Sequence, residues 1–150
     1  MQFRNFKMIG YVVYGRGCFH QLNDILAPHR KAGAPMIFLL DHYFQGKPLE
    51  SSIPLRGNDK LIFADVTYEP KTTYVDQLAN DLKDEFGTVS GIIGIGGGST
   101  LDLAKAVSLM MNNPGSSADY QGWDLVKHPG VYKAGIPTLI GTGAELSRTT

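Results

Sequence analysis

The sequence predicts an α/β fold, a Rossmann-like parallel sheet flanked by helices, in a single domain covering residues 1–150. Short apolar runs that are typical of buried strands alternate with segments whose apolar residues recur at helical spacing. One such run, residues 89–95, enters the triplet Gly96-Gly97-Gly98 and continues directly into an amphipathic helix. Strands and helices in this alternating order imply parallel strands, right-handed crossovers and helices on both faces of the sheet.

The first half of the chain contains three predicted strands and one predicted helix. Residues 9–14 are rich in β-branched and aromatic side chains and predict a strand that ends at Gly15. Residues 36–40 and 61–64 are continuous apolar runs, which predict strands covered on both faces. A helix that stops near Pro28 is predicted from the apolar residues Phe19, Leu22, Ile25 and Leu26.

The second half contains two longer predicted helices. The first follows Glu69-Pro70, with Thr72 or Thr73 as a plausible N-cap. Its apolar stripe consists of Val75, Leu78, Ala79, Leu82 and Phe86. The second follows the glycine triplet and closes at residues 112–115. The sequence pattern predicts secondary structure least clearly in two segments, residues 45–58 and the predicted loop 116–135.

Composition excludes some classes of partner. Lys plus Arg and Asp plus Glu both number 14, which argues against a surface built to attract nucleic acid or an anionic membrane. No segment approaches the roughly 20 apolar residues of a membrane span, so we expect a cytoplasmic protein. The four histidines are scattered and form no metal-binding pair, and Cys18 is the only cysteine. The sequence therefore predicts no metal site within this chain.

The glycine triplet before a helix predicts a phosphate cradle. Residues without a Cβ let the backbone reach positive φ and let a diphosphate approach the main chain, while the helix start favours an anion. The Walker pattern fails, since no Lys-Ser or Lys-Thr pair follows the glycines. The dinucleotide fingerprint GxGxxG is half met, because Ser99 stands where the third glycine should be. A tight turn without a ligand remains the alternative.

Three motifs in order resemble the iron-containing, or group III, alcohol dehydrogenases. GGGSTLDLAK at residues 96–105 is similar to the family signature GGGSxxDxAK. PTLIGTGAE at residues 137–145 resembles the family segment PTTAGTGSE, with Leu139, Ile140 and Ala144 replacing Thr, Ala and Ser. VVYGRG at residues 12–17 resembles the FGxG opening. The opening strand and the loop around Trp123 are also similar to members that act as 3-deoxy-D-manno-octulosonate 8-oxidases.

The resemblance implies a dehydroquinate synthase-like N-terminal domain that binds NAD, with NADP disfavoured. It also implies a helical domain in which Asp and His hold a divalent metal, Fe or Zn, and none of those ligands maps onto residues 1–150. We therefore expect the cofactor-binding part of a two-domain enzyme that is often dimeric. Its expected substrate is a small alcohol or sugar, such as the terminal hydroxyl of an acidic sugar used in lipopolysaccharide biosynthesis.

The candidate site residues lie after the strands and in the family motifs. Asp41 directly follows an apolar strand, and its carboxylate is expected to accept hydrogen bonds from the adenosine ribose and to repel a 2′-phosphate; a turn-capping Asp is the alternative. Gly97, Gly98 and Ser99 are assigned to the pyrophosphate. The resemblance adds the cofactor-binding candidates Asp102, Thr138, Leu139, Gly141, Thr142, Ser147 and Thr149. The alternative for Asp102 is an ion pair with Lys105 within the helix.

The leading functional hypothesis is an oxidoreductase that oxidises a primary alcohol to an aldehyde, or runs the reverse reaction. No catalytic residue is assigned in this chain. One alternative is a dehydroquinate-synthase-like lyase, which shares the architecture and also uses NAD and a metal. Another is a non-catalytic nucleotide-binding domain.

Overall fold

The computed structural model describes residues 9–147 and contains a four-stranded parallel sheet with the strand order β2-β1-β3-β4. The strands are β1 (Met36–Asp41), β2 (Lys60–Ala64), β3 (Gly91–Gly96) and β4 (Tyr132–Pro137). The α-helices are α1 (Leu22–Leu26), α2 (Pro48–Ser51), α3 (Thr72–Phe86) and α4 (Gly98–Met110). The predicted α/β fold with a parallel sheet is confirmed.

The two central strands are buried on both faces, which explains their uninterrupted apolar sequences. Side chains alternate across the sheet, so each strand supplies both cores. The core against α3 and α4 contains Ile37, Leu39 and Ile92 of the sheet and the predicted helix positions Val75, Leu78, Ala79 and Leu82. The core against α1 contains Leu22, Leu26, Met36, Phe38, Leu40, Ile93 and Ile95. Helices therefore cover both faces of the sheet, as the sequence predicts.

The predicted strand at residues 9–14 is wrong. These residues pair with no strand in the described part of the chain, and the side chains of Tyr11 and Tyr14 are 81% and 97% exposed. β-branched and aromatic residues favour a strand only when a neighbouring strand and a packed face receive them. The predicted caps of α3 are also wrong, because its N-cap is Lys71, which makes no side-chain capping bond.

The last strand lies partly in the segment predicted as a loop. Tyr132, Ala134 and Ile136 are half-buried, while Lys133 and Gly135 between them are exposed. This alternation is the period-two pattern of a half-buried strand, but Gly135 and Pro137 weaken it in the sequence. The segment 45–58 likewise contains a short helix, α2, that the sequence pattern does not define.

Gly94 sets how closely α4 packs on β3. A Cβ at Gly94 would lie 2.8 Å from the Cβ of Ala104 and 3.3 Å from the Thr100 carbonyl oxygen. We expect Gly94→Ala to lower the free energy of unfolding by about 1–3 kcal/mol, because the helix must shift outward. Urea unfolding of the full-length protein measures this. The matched control is Gly135→Ala, whose Cβ would make an ordinary 3.5 Å contact with Leu101; equal losses in both variants would contradict the prediction.

Candidate cofactor-binding site

The carboxyl ends of β1 and β3 meet at the point where the chain changes direction in the sheet. From β1 the chain continues outward to β2, whereas β3 is followed by β4 on the other side. Ligands of open parallel sheets bind at this kind of switch point. The register pairs Leu40 with Ile95, so Asp41 lies beside Gly96. A Cβ at Gly96 would collide first with Thr100, whose Cβ would lie 2.7 Å away, and would lie 2.9 Å from the Cβ of Asp41, so this close approach requires glycine.

The glycine turn leads into an uncapped helix. Gly97 is the N-cap of α4 in an extended conformation, with φ −77° and ψ −176°, and no side chain caps the helix. The first hydrogen bond inside the helix runs from the Leu101 N–H to the Gly97 carbonyl oxygen at 3.1 Å. The N–H groups of Gly98 and Ser99 precede this bond and lie at the positive end of the helix dipole. This arrangement suits an anion such as a diphosphate.

The expected positive φ values in the glycine triplet are not found, since none of its three residues has one. Gly97 is instead open: an added Cβ would meet only Leu139 Cδ1 at 3.6 Å. At Gly98, by contrast, an added Cβ would lie 2.9 Å from Thr142 Oγ1. Gly98 is therefore required by the protein's own packing, whereas Gly97 leaves room for a ligand at the main chain.

The segment 138–142 lies against the glycine turn. The Thr138 N–H donates to the Gly96 carbonyl oxygen at 2.9 Å, which extends the pairing of β3 and β4 by one bond. Leu139 and Thr142 then contact the turn as described above. Gly141 has φ +137°, a conformation that favours glycine and redirects the segment. The structure thus brings together five predicted site residues, namely Gly97, Gly98, Thr138, Leu139 and Thr142.

The polar residues of α4 form a contact network of their own. Lys105 Nζ lies 2.7 Å from Asp102 Oδ1, as the ion-pair alternative predicts, and donates to Ser147 Oγ at 3.0 Å. Although Lys133 on the adjacent β4 is an exposed residue, desolvation of its ammonium group, followed by the charge of Lys105, lowers its pKa. Asp102 and Ser147 are therefore joined through Lys105, and their cofactor contacts stay predictions. Thr149 lies outside the described residues.

Asp41 performs the turn-capping role that the sequence left open. Its Oδ1 accepts a hydrogen bond at 3.0 Å from the N–H of Tyr43, in the 3-10 turn His42–Phe44. The hydrogen bond of this cap uses one carboxylate oxygen, Oδ1, so it does not occupy Oδ2. The cap and the predicted ribose contact are therefore compatible.

Sequence patterns missed two features of this edge. Thr100 is fully buried in the first turn of α4, and its hydroxyl has no hydrogen-bond partner among the described residues. It packs against Gly96, beside Asp41. Asp65, just beyond the end of β2, lies close to His42. Only its position directly after an apolar strand could have marked Asp65 in the sequence. Within residues 9–147 no group of three His, Cys, Asp or Glu side chains could hold a metal ion.

A doubly wound parallel sheet with a glycine turn at its switch point is the architecture typical of nucleotide-binding α/β domains. Residues 10–150 match the family described as iron-containing alcohol dehydrogenase, and the chain belongs to that family. Residues 9–147 contain no helix long and apolar enough to cross a membrane.

Relatives and solved structures agree with this assignment. The chain is 37% identical over 101 residues to the sulfoacetaldehyde reductase of Bilophila wadsworthia, which covers 67% of this chain and 26% of that protein. It is 31% identical over 146 residues to the NAD-dependent methanol dehydrogenase of Bacillus methanolicus, covering 94% of this chain and 37% of the relative. The chain thus spans well under half the length of either relative.

Two solved structures share the fold. An alcohol dehydrogenase from Oenococcus oeni superposes with a TM-score of 0.74 at 22% identity, over 91% of this chain and 36% of that one. A sulfoacetaldehyde reductase from Bifidobacterium kashiwanohense, crystallised with NAD+, superposes with a TM-score of 0.68 at 24% identity, over 88% of this chain and 35% of that one. These likenesses confirm the fold class.

Proposed function

We propose that this chain forms the NAD-binding part of a metal-dependent dehydrogenase that interconverts a small alcohol and its aldehyde. The observation that carries the proposal is the uncapped start of α4 at the open Gly97, adjacent to Asp41 at the end of β1. A diphosphate would accept hydrogen bonds from the N–H groups of Gly98 and Ser99, and the adenosine ribose would donate to Asp41. When bound, the nicotinamide supplies the hydride chemistry.

The residues of this chain bind and orient the cofactor. Thr138, Leu139 and Thr142 border the glycine turn, so they limit how far a bound diphosphate can move and shield one side of it from water. The Fe or Zn that the resemblance implies belongs to residues outside this chain. The substrate pocket is expected there as well.

The proposed substrate is a primary alcohol or sugar, and the terminal hydroxyl of 3-deoxy-D-manno-octulosonate is the specific candidate. The similarity of the opening segment and the Trp123 loop to that type of family member supports it. We also propose a cytoplasmic location and a homodimer. The test is NADH formation by the full-length protein with that sugar, methanol and longer primary alcohols. Turnover of another alcohol in preference to the sugar would reject the specific candidate and keep the dehydrogenase.

The lyase alternative makes a different prediction for the same assay. A lyase reaction involves no net oxidation of its substrate, so NADH would not accumulate, whereas a dehydrogenase forms one NADH for each alcohol oxidised. The family match favours the dehydrogenase. A non-catalytic nucleotide-binding protein would bind NAD and show neither activity.

Charge at Asp41 is expected to determine the choice between NAD and NADP. We expect Asp41→Asn to bind NADP about tenfold more tightly than the wild type, because the carboxylate no longer repels the 2′-phosphate. Asn retains an oxygen that can accept the Tyr43 N–H, so the turn is preserved. Calorimetric titration with both cofactors measures the change. The matched control is Glu50→Gln on α2, and an unchanged ratio of the two dissociation constants in Asp41→Asn would reject the role.

A further inference from the structure

Leu139 presents an apolar side chain to solvent at the cofactor edge of the sheet. This side chain is 71% exposed, although its Cδ1 would lie 3.6 Å from a Cβ added at Gly97. The segment around it is held in place, because the Thr138 N–H donates to the Gly96 carbonyl oxygen and Thr142 lies against the glycine turn. An exposed leucine alone indicates nothing, but this one is fixed beside the open main chain where a diphosphate is proposed to bind.

The order of the strands determines which half of a dinucleotide reaches Leu139. In the sheet, β3 lies between β1 and β4. The adenosine ribose is proposed to bind at Asp41, which ends β1, and the diphosphate at the start of α4, which follows β3. A dinucleotide lies across the switch point of a parallel sheet, with its two nucleoside halves on either side of the diphosphate. The nicotinamide half therefore extends over the segment 138–142, which follows β4.

This segment offers the nicotinamide ring an apolar and uncharged surface. Residues 137–144 include no charged side chain, and Ile140, next to Leu139, is fully exposed. The nicotinamide ring carries a positive charge in NAD+ and none in NADH. Contact with an apolar side chain removes water from the ring and replaces none of its interactions, which costs more free energy for the cation than for the neutral ring. Leu139 thus disfavours NAD+ relative to NADH.

We propose that Leu139 is a specificity-determining residue that packs against the nicotinamide ring and makes the site select NADH over NAD+. The inference rests on the proposed function, because it takes the diphosphate to bind at Gly97 and the adenosine at Asp41. Selection of NADH keeps the site loaded for reduction of an aldehyde. In that reaction the hydride of NADH passes to the carbonyl carbon and a proton to the carbonyl oxygen, which yields the alcohol and NAD+.

Two substitutions separate the apolar character of Leu139 from its size. In Leu139→Thr, the ratio of the dissociation constant for NAD+ to that for NADH should fall about fivefold, because the hydroxyl and the water it admits solvate the cationic ring. Leu139→Met keeps an apolar side chain of similar volume and should stay within about twofold of the wild-type ratio. ADP-ribose lacks the nicotinamide ring, so neither substitution should change its affinity by more than about twofold.

The matched control is Leu125→Thr, the same substitution at the opposite end of α4. Leu125 is also exposed, but it borders a surface cavity together with Pro114 and Tyr120, beyond the C-terminal end of that helix. The glycine turn precedes the N-terminal end. Leu125→Thr should therefore leave the affinities for NAD+, NADH and ADP-ribose unchanged.

The experiment is calorimetric titration of the full-length wild type and these variants with NAD+, NADH and ADP-ribose. An unchanged ratio in folded Leu139→Thr overturns the inference and leaves the proposed function standing, and it is the result expected if another part of the protein covers Leu139. An equal fall in Leu139→Met overturns the inference as well, because apolar character would then not be the cause. Failure of the folded wild type to bind any of the three ligands overturns the proposed function and this inference together.

Discussion

Gly97→Val is expected to weaken NAD binding by about 100-fold, roughly 2.7 kcal/mol, while the protein remains folded. The backbone at Gly97 is extended, a conformation that suits valine, and an added Cβ has an ordinary contact with Leu139 as its nearest neighbour. The protein itself therefore has room for the added Cβ. A diphosphate at the start of α4 has no such room, because the new methyl groups occupy the space through which it approaches the main chain.

Two further variants separate loss of the ligand from loss of structure. Gly98→Val should weaken NAD binding and also lower the thermal unfolding temperature, because its side chain collides with Thr142. Gly135→Ala removes a glycine away from the turn and should change neither quantity appreciably. Calorimetry and thermal unfolding of the full-length protein give both readouts. Undiminished NAD affinity in folded Gly97→Val would mean that the glycine turn is structural.

Strong local patterns predicted most of the fold. The sequence predicts β1 and β3 from their apolar runs and α3 from its apolar stripe, because the burial of these elements follows from their own residues. The pattern at residues 9–14 is equally apolar, yet it forms no strand in the described structure, because a strand also needs a partner that its own sequence does not specify. β4 shows the opposite case, in which pairing with β3 orders a segment of weak pattern.

The site was predictable where a motif carries its own geometry. The glycine turn and the segment 138–142 are such motifs, and they do meet in space. The proximity of His42 to Asp65 depends on the register between β1 and β2, which local sequence does not reveal. Gly96 and Gly98 are likewise required by tertiary packing and not by backbone torsion: a Cβ at Gly96 would collide with Thr100 and Asp41, and one at Gly98 would collide with Thr142.

Asp59→Ala is expected to lower the free energy of unfolding by about 3–5 kcal/mol, because it leaves a partly buried guanidinium without its partner. The carboxylate is 1% exposed and receives two hydrogen bonds from Arg30, each 2.8 Å long. It also accepts hydrogen bonds from two backbone N–H groups, that of Met36 to Oδ1 at 2.9 Å and that of Arg56 to Oδ2 at 2.8 Å. One side chain thus fixes the start of β1 to the loop before β2, opposite the cofactor edge.

The same contacts determine how stability should change with pH. Burial alone would raise the pKa of Asp59, but the hydrogen bonds from Arg30, Met36 and Arg56 outweigh it and hold the pKa below its ordinary value of 3.8. The stabilisation is therefore complete above the pKa of the unfolded chain and is lost as pH falls through the lower pKa of the folded protein. Asp59→Asn should accordingly show a shallower loss of stability below about pH 4 than the wild type.

Urea unfolding across this pH range measures both effects of Asp59, and an exposed ion pair supplies the control. Lys60 and Glu85 are paired at the surface, with side chains 38% and 47% exposed. Glu85→Gln should change the free energy of unfolding by less than about 1 kcal/mol, because solvent screens the pair. If Asp59→Ala cost no more than Glu85→Gln, the four hydrogen bonds to Asp59 would not be what holds β1 in place, and the packing of its apolar side chains would suffice.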